Sequence, residues 1–184
     1  MTAVVLTSSF SQSAIGIIAL AVASVAFTLG FACAVPLAAF AAIAAMSFGR
    51  REALAAIGAV WFANQAWGFA FMHYPMDGET FAWGGALGII AVLSCEAAGL
   101  VTRRLSGIVG VCAAFFAAFL AYEGSLIAID LVTGQSADDF AAATVMRIFL
   151  INACAFGGLW ALKAELKGMT VGRKVSGSPA PTHV

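Results

Sequence analysis

Polar and charged positions fall in short clusters along the chain, and long apolar stretches separate them. The clearest stretch runs from Ala53 to His73, 21 residues without formal charge when His73 is neutral. At about 1.5 Å per residue, a helix of that length crosses a hydrocarbon layer of about 30 Å. Pro75 and Asp77-Gly78 mark a turn after it. Similar stretches run from Thr80, which reads as an N-cap, to Val101, and from Ser106 to Leu131. Another runs from Asp138 to Leu162, with Ser136 and Asp139 at capping-box spacing. The apolar run Ala14 to Ser47 is too long for one crossing, and glycine and proline between Gly30 and Pro36 divide it into two short spans. The pattern predicts an all-α, polytopic membrane helix bundle of six transmembrane helices, with five as the alternative if that run crosses once. Residues 1–13 read as a short N-terminal tail, 14–162 as the bundle, and 163–184 as a basic tail, disordered beyond Lys174.

Composition excludes a soluble globule. Hydrophobic residues make up 62% and charged residues 10%, with a mean hydropathy of +1.00, where soluble domains are about half apolar and a quarter charged. A net charge of zero and the lack of a basic stripe beyond the span ends give no footing for nucleic acid. Arg50, Arg51, Arg103, Arg104, Lys163, Lys167, Arg173 and Lys174, eight of the nine basic residues, fall on one side of the predicted topology. That side is expected to be cytoplasmic. Six spans then place both termini inside, in a bacterial inner (plasma) membrane. Cys33, Cys95, Cys112 and Cys154 lie in apolar segments without CxxC spacing, so buried reduced thiols are expected rather than a metal site or disulfides. The N-terminus lacks the basic stretch of a cleaved signal peptide. HExxH, GxSxG, P-loop and dinucleotide fingerprints are missing, and His73 is the one histidine near the spans, so neither catalysis nor bis-histidine haem ligation is expected.

Polar residues within the spans are the candidates for chemistry, because each must find a partner in hydrocarbon. Asn64 and Gln65 sit in the middle of the third span, near Trp61 and Trp67. Counting inward from the span ends places Gln65, Glu123 and Arg147 in one layer, roughly 10–12 Å deep. A Glu123–Arg147 pair is the simplest way to keep both charged. Gln65, Phe69 and His73, at i, i+4 and i+8, present one helix face, and Asn152 lies about one turn deeper than Arg147. The expected ligand-binding set is Asn64, Gln65, Trp67, His73, Glu123, Arg147 and Asn152. The competing reading is that these groups only clamp helices together. Tyr74, Phe81 and Trp83 read as one interfacial aromatic belt and Trp160 as the other. Glu96 reads as structural, within reach of Arg103.

Small-residue spacing supports close helix packing: Ala19 and Ala23, Ala34 and Ala38, and Gly84 and Gly88 each lie four apart. Six short spans within about 180 residues, the alanine spacing of the first span and a polar layer toward the outside resemble the substrate-binding S-components of energy-coupling-factor vitamin transporters. The resemblance implies capture of a vitamin-like solute from outside and a transmembrane coupling subunit meeting Ala19 and Ala23. It also implies, by analogy with members that bind cobalamin, that His73 or Cys33 would supply an axial ligand. No vitamin-specific signature identifies the solute. Expected function is therefore small-solute uptake, with the bilayer, a coupling subunit or homo-oligomer, and a small-molecule ligand as partners. The alternative is a noncatalytic assembly or accessory subunit.

Overall fold

A computed structural model describes residues 2–31, 35–134 and 142–176, with side chains described for 13–27, 35–134 and 142–165. Every element among the described residues is helical: α1 (Thr2–Phe31), α2 (Leu37–Ser47), α3 (Arg50–Phe71), α4 (Gly78–Thr102), α5 (Gly107–Thr133) and α6 (Ala142–Ser176). Helices α3, α4, α5 and the Ala142–Glu165 part of α6 are long and apolar enough to cross a membrane.

The run from Ala14 to Ser47 does divide, at the Pro36 end of the expected interruption, but the two halves are unequal. Helix α2 has 11 residues, about 16 Å at about 1.5 Å per residue, roughly half a hydrocarbon layer. It is also the centre of the molecule. Leu37 through Ala44 are all buried, and α2 packs against α3, α4, α5 and α6. A helix apolar on every face has no surface to give to water, and its alanines let four neighbours approach closely. Phe40, fully buried, meets the ring of Phe27 on α1 edge to face with centroids 5.9 Å apart.

Hydrogen bonds fix the helix directions. Ser13 donates to Glu52 at 2.9 Å, and Asn64 donates to Ser24 at 2.9 Å, so α1 and α3 run parallel. Helices α3 and α4 form an antiparallel hairpin: Trp61 Nε1 donates to the Gly84 carbonyl at 2.8 Å, and Phe69 stacks on Phe81. At its open end Glu96 holds Arg50 at 2.8 Å and Arg103 at 3.8 Å. Helix α6 runs parallel to α2 and grips it at both ends. The Ala39 N–H donates to Asn152 Oδ1 at 3.1 Å, and Lys163 Nζ donates to the Met46 carbonyl at 2.9 Å. Arg50, Arg103 and Lys163 thus share one end of the bundle, the basic end. The α3–α4 turn, residues 72–77, marks the far end.

Several boundaries differ from the sequence reading. Residues 2–13, read as a tail, are the first part of α1, and residues 163–176 continue α6. Helix α4 starts before Thr80, because Asp77 is the N-cap: its Oδ1 accepts from the Thr80 N–H at 2.8 Å. Ser136, Asp138 and Asp139 lie outside the described residues, as do Cys33 and Ala34. Of the other cysteines, Cys95 is buried, while Cys112 and Cys154 are exposed on the bundle surface. The Gly84/Gly88 pair serves the α3–α4 contact. A Cβ at Gly88 would come within 2.9 Å of the Trp61 ring, and one at Gly84 within 2.9 Å of Gln65 Oε1. Of the alanine pairs, Ala19 is exposed and Ala38 is wholly buried in the core.

Candidate functional site

Because α2 spans only half the depth of its neighbours, space remains beyond its N-terminal tip. That space is a cavity of about 290 Å³, near the lower bound of the about 300–1,000 Å³ of small-molecule sites. Val35 and Leu37 form its floor, Trp61, Asn64 and Gln65 of α3 one wall, and Thr80, Trp83, Gly84 and Leu87 of α4 the next. Tyr122 of α5 and Ile148, Ile151 and Asn152 of α6 complete it. Tyr74 reaches it from the α3–α4 turn.

Three of the seven expected ligand-binding residues, Asn64, Gln65 and Asn152, meet here. Their surroundings differ. Asn152 is 2% exposed. It accepts from Ala39 through Oδ1 and donates through Nδ2 to the Ile148 carbonyl at 3.0 Å. Ala39 is the third residue of α2, whose own N-cap, Pro36, makes no side-chain bond to the helix. The amide therefore supplies from α6 the capping acceptor that α2 lacks. The rest of that helix end is also occupied: Leu37 N–H donates to the Val35 carbonyl and Phe40 N–H to the Pro36 carbonyl. Asn64 bonds Ser24 and the Val60 carbonyl. Gln65, half-buried, makes no hydrogen bond among the described residues and borders the cavity with its amide. Trp61 is held by its bond to Gly84, so its ring position is fixed.

The remaining four lie elsewhere. Trp67 stacks on Phe71 with centroids 4.2 Å apart and does not line the cavity. His73 is exposed in the turn, where its φ of 56° lets the chain leave α3 in the left-handed region. It does not border the cavity, so the axial-ligand role implied by the resemblance has no support from its position. The Glu123–Arg147 pair is not made. Phe115, Phe119, Phe149 and Phe156 pack together between α5 and α6. With Phe149 turned to α5, Arg147, two residues or about 200° away at 100° per residue, points out of the bundle and is exposed. Glu123 is buried, with both carboxylate oxygens lacking a partner.

Four aromatic positions complete the cavity: Trp61, Tyr74, Trp83 and Tyr122. Tyr74 and Trp83 read as belt residues by their distance from the span ends. Tyr74 instead folds back on α3, its ring so close to Gly68 that any Cβ there would collide with it. Folding the α3–α4 hairpin about its turn and setting Gly84 and Gly88 against the bulky side chains opposite is the sequence signal that finds Trp61 and Gln65. Tyr122 has no such signal. Two further cavities lie at the basic end, one of about 230 Å³ beside Arg50, Glu96 and Arg103 and one of about 380 Å³ beside Met46, Trp160 and Lys163.

The fold and this site define a helical membrane bundle with an internal, partly polar cavity. No family model, curated protein or solved structure matches the chain.

Proposed function

We propose that the chain is an integral membrane protein that binds a small solute in the cavity beyond α2, as part of its uptake. The observation that carries the reading is the composition of that wall. Gln65 offers an amide donor and acceptor with no hydrogen-bond partner among the described residues, beside four aromatic side chains and two asparagines already held by the fold. Apolar walls with a few fixed polar groups are how small-molecule sites combine affinity with orientation. The solute this fits is a compact planar one with hydrogen-bonding edges, stacked on an indole and read by the amide.

By the charge of its ends, the basic end faces the cytoplasm and the cavity lies toward the outside. Both termini are then cytoplasmic, with α2 a half-length element and α1 completing the crossing beside α3. The test is binding of candidate heterocyclic solutes to protein in lipid nanodiscs, followed by tryptophan fluorescence. Gln65→Ala is expected to weaken binding about tenfold, the loss of one or two hydrogen bonds at about 1 kcal/mol each. Unchanged affinity in a folded Gln65→Ala protein would refute the site.

The outward Arg147 favours a second reading, membership of a larger membrane assembly. A guanidinium on the lipid face of a helix is stabilised by a carboxylate on a neighbouring chain. If so, Arg147→Ala shifts the protein from a larger complex to monomer in native mass spectrometry; an unchanged distribution rejects this reading.

A further inference from the structure

Glu123 is a buried ionisable group that the binding reading leaves unused. It lies on α5 ten residues before the end at Thr133, about 15 Å along the axis. The residue is 5% exposed, and neither carboxylate oxygen has a hydrogen-bond partner. Elsewhere the fold satisfies its buried polar side chains: Ser24, Asn64, Ser94 and Asn152 all make bonds. An ionised carboxylate so placed is far more costly than an uncharged acid, which needs only one or two weak partners.

Among the described residues, the elements packed most closely on α5 are α4, α2 and α6. Helix α2 has no titratable residue. On α4, Glu79 is in the first turn at the far end, and Cys95 and Glu96 are near the basic end, Glu96 occupied by its arginines. On α6, the Phe119–Phe149 contact sets Glu123, one turn further along α5, level with about Val145 to Arg147. Arg147 points out of the bundle, and Cys154, Lys163 and Glu165 lie progressively closer to the basic end. On α5 itself, Asp130 is two turns away toward the far end, Cys112 lies toward the basic end, and Tyr122 is adjacent. No described group is placed to balance a negative charge at Glu123, and none of the described acidic, histidine and cysteine side chains gather in threes that could hold a metal ion.

We propose that Glu123 is a proton-binding site, its carboxyl carrying a proton at neutral pH in this conformation. Binding adds one proton to the carboxylate, and release returns it to water. The residue before it, Tyr122, forms part of the cavity wall, while Glu123 itself does not line the cavity. A movement of α5 that turned Glu123 toward the cavity would let the proton leave and the charge be solvated. The cavity and the proton site thus share one helix, and the inference stands whether or not a solute binds.

Infrared spectroscopy reports the carbonyl of a protonated carboxyl directly, whether or not a reagent can reach it. In nanodiscs at neutral pH, the wild-type protein is expected to show a protonated-carboxyl band that is lost in Glu123→Gln and retained, displaced, in Glu123→Asp. Raising the pH past its midpoint should diminish the band about tenfold per unit. A wild-type spectrum with no protonated-carboxyl band at neutral pH overturns the proposal, even if Glu123→Gln misfolds. Solute binding measured on the same samples is a separate readout, so loss of either result leaves the other standing.

Discussion

Two amides that line the cavity are held differently by the fold. Asn152 is tied on both sides, whereas Gln65 makes no hydrogen bond among the described residues. Replacing Asn152 with alanine leaves the Ala39 N–H buried and unsatisfied, at a cost of about 1–3 kcal/mol. Gln65→Ala should leave stability within about 0.5 kcal/mol of the parent, as surface-type changes do. Unfolding of both variants in mixed micelles checks this contrast, and equal losses would show that Gln65 is also structural. At this scale the sequence was informative about residue type and poor about direction. Asn64, Gln65 and Asn152 were legible because an amide in an apolar span must face inward. Arg147 was not, because depth counts residues along the axis and says nothing of azimuth. The azimuth is set by Phe149 packing on Phe115 and Phe119, and a run with phenylalanines on several faces leaves that choice to tertiary contact.

At the scale of elements, the α3–α4 hairpin is the unit that shapes the wall. Gly88 admits the Trp61 ring, and a Cβ there would sit 2.9 Å from it. Gly88→Val is therefore expected to destabilise by about 1–3 kcal/mol through overpacking and to shift Trp61 emission. Normal stability with unchanged emission would mean the hairpin is looser than described. The turn has its own signature in pH. The Thr80 N–H bonded to Asp77 holds that carboxyl below its ordinary 3.8. A carboxyl whose folded value is depressed adds stability that is complete above its unfolded value and disappears as pH falls through the folded one. The melting difference between wild type and Asp77→Ala should therefore persist at neutral pH and narrow below about 3.8. A gap that does not change with pH would discount the cap. Thr80 has the residue type of a cap, but the acceptor has to sit three residues before the donor it serves, which selects Asp77. Helices α3 to α5 were nearly complete in the sequence, since length and turn residues define them; the shortness of α2 was not, because an apolar run bears no mark of where its helix stops short.

For the whole molecule, charge and direction agree. Arg50, Arg103 and Lys163 come together at one end through Glu96 and the Met46 carbonyl, and α1 lies parallel to α3. Under the proposed orientation, a single cysteine at position 77 is expected to react with a membrane-impermeant thiol reagent in intact cells, and one at position 104 only after the cells are permeabilised. Labelling of both from one face would break the bundle topology. That a membrane bundle was at hand was plain from composition alone. Which three amides share a cavity needed the packing.

The stub-like α2 has a mechanical corollary. Under the proposed binding reading, a solute at its tip lies about half a hydrocarbon layer deep, with the 11 residues of α2 beneath it. That helix is pinned at its top by an amide and at its bottom by a lysine, both on α6. A displacement of α6 along its axis would strain both bonds at once, so the depth at which α2 sits is tied to the register of α6.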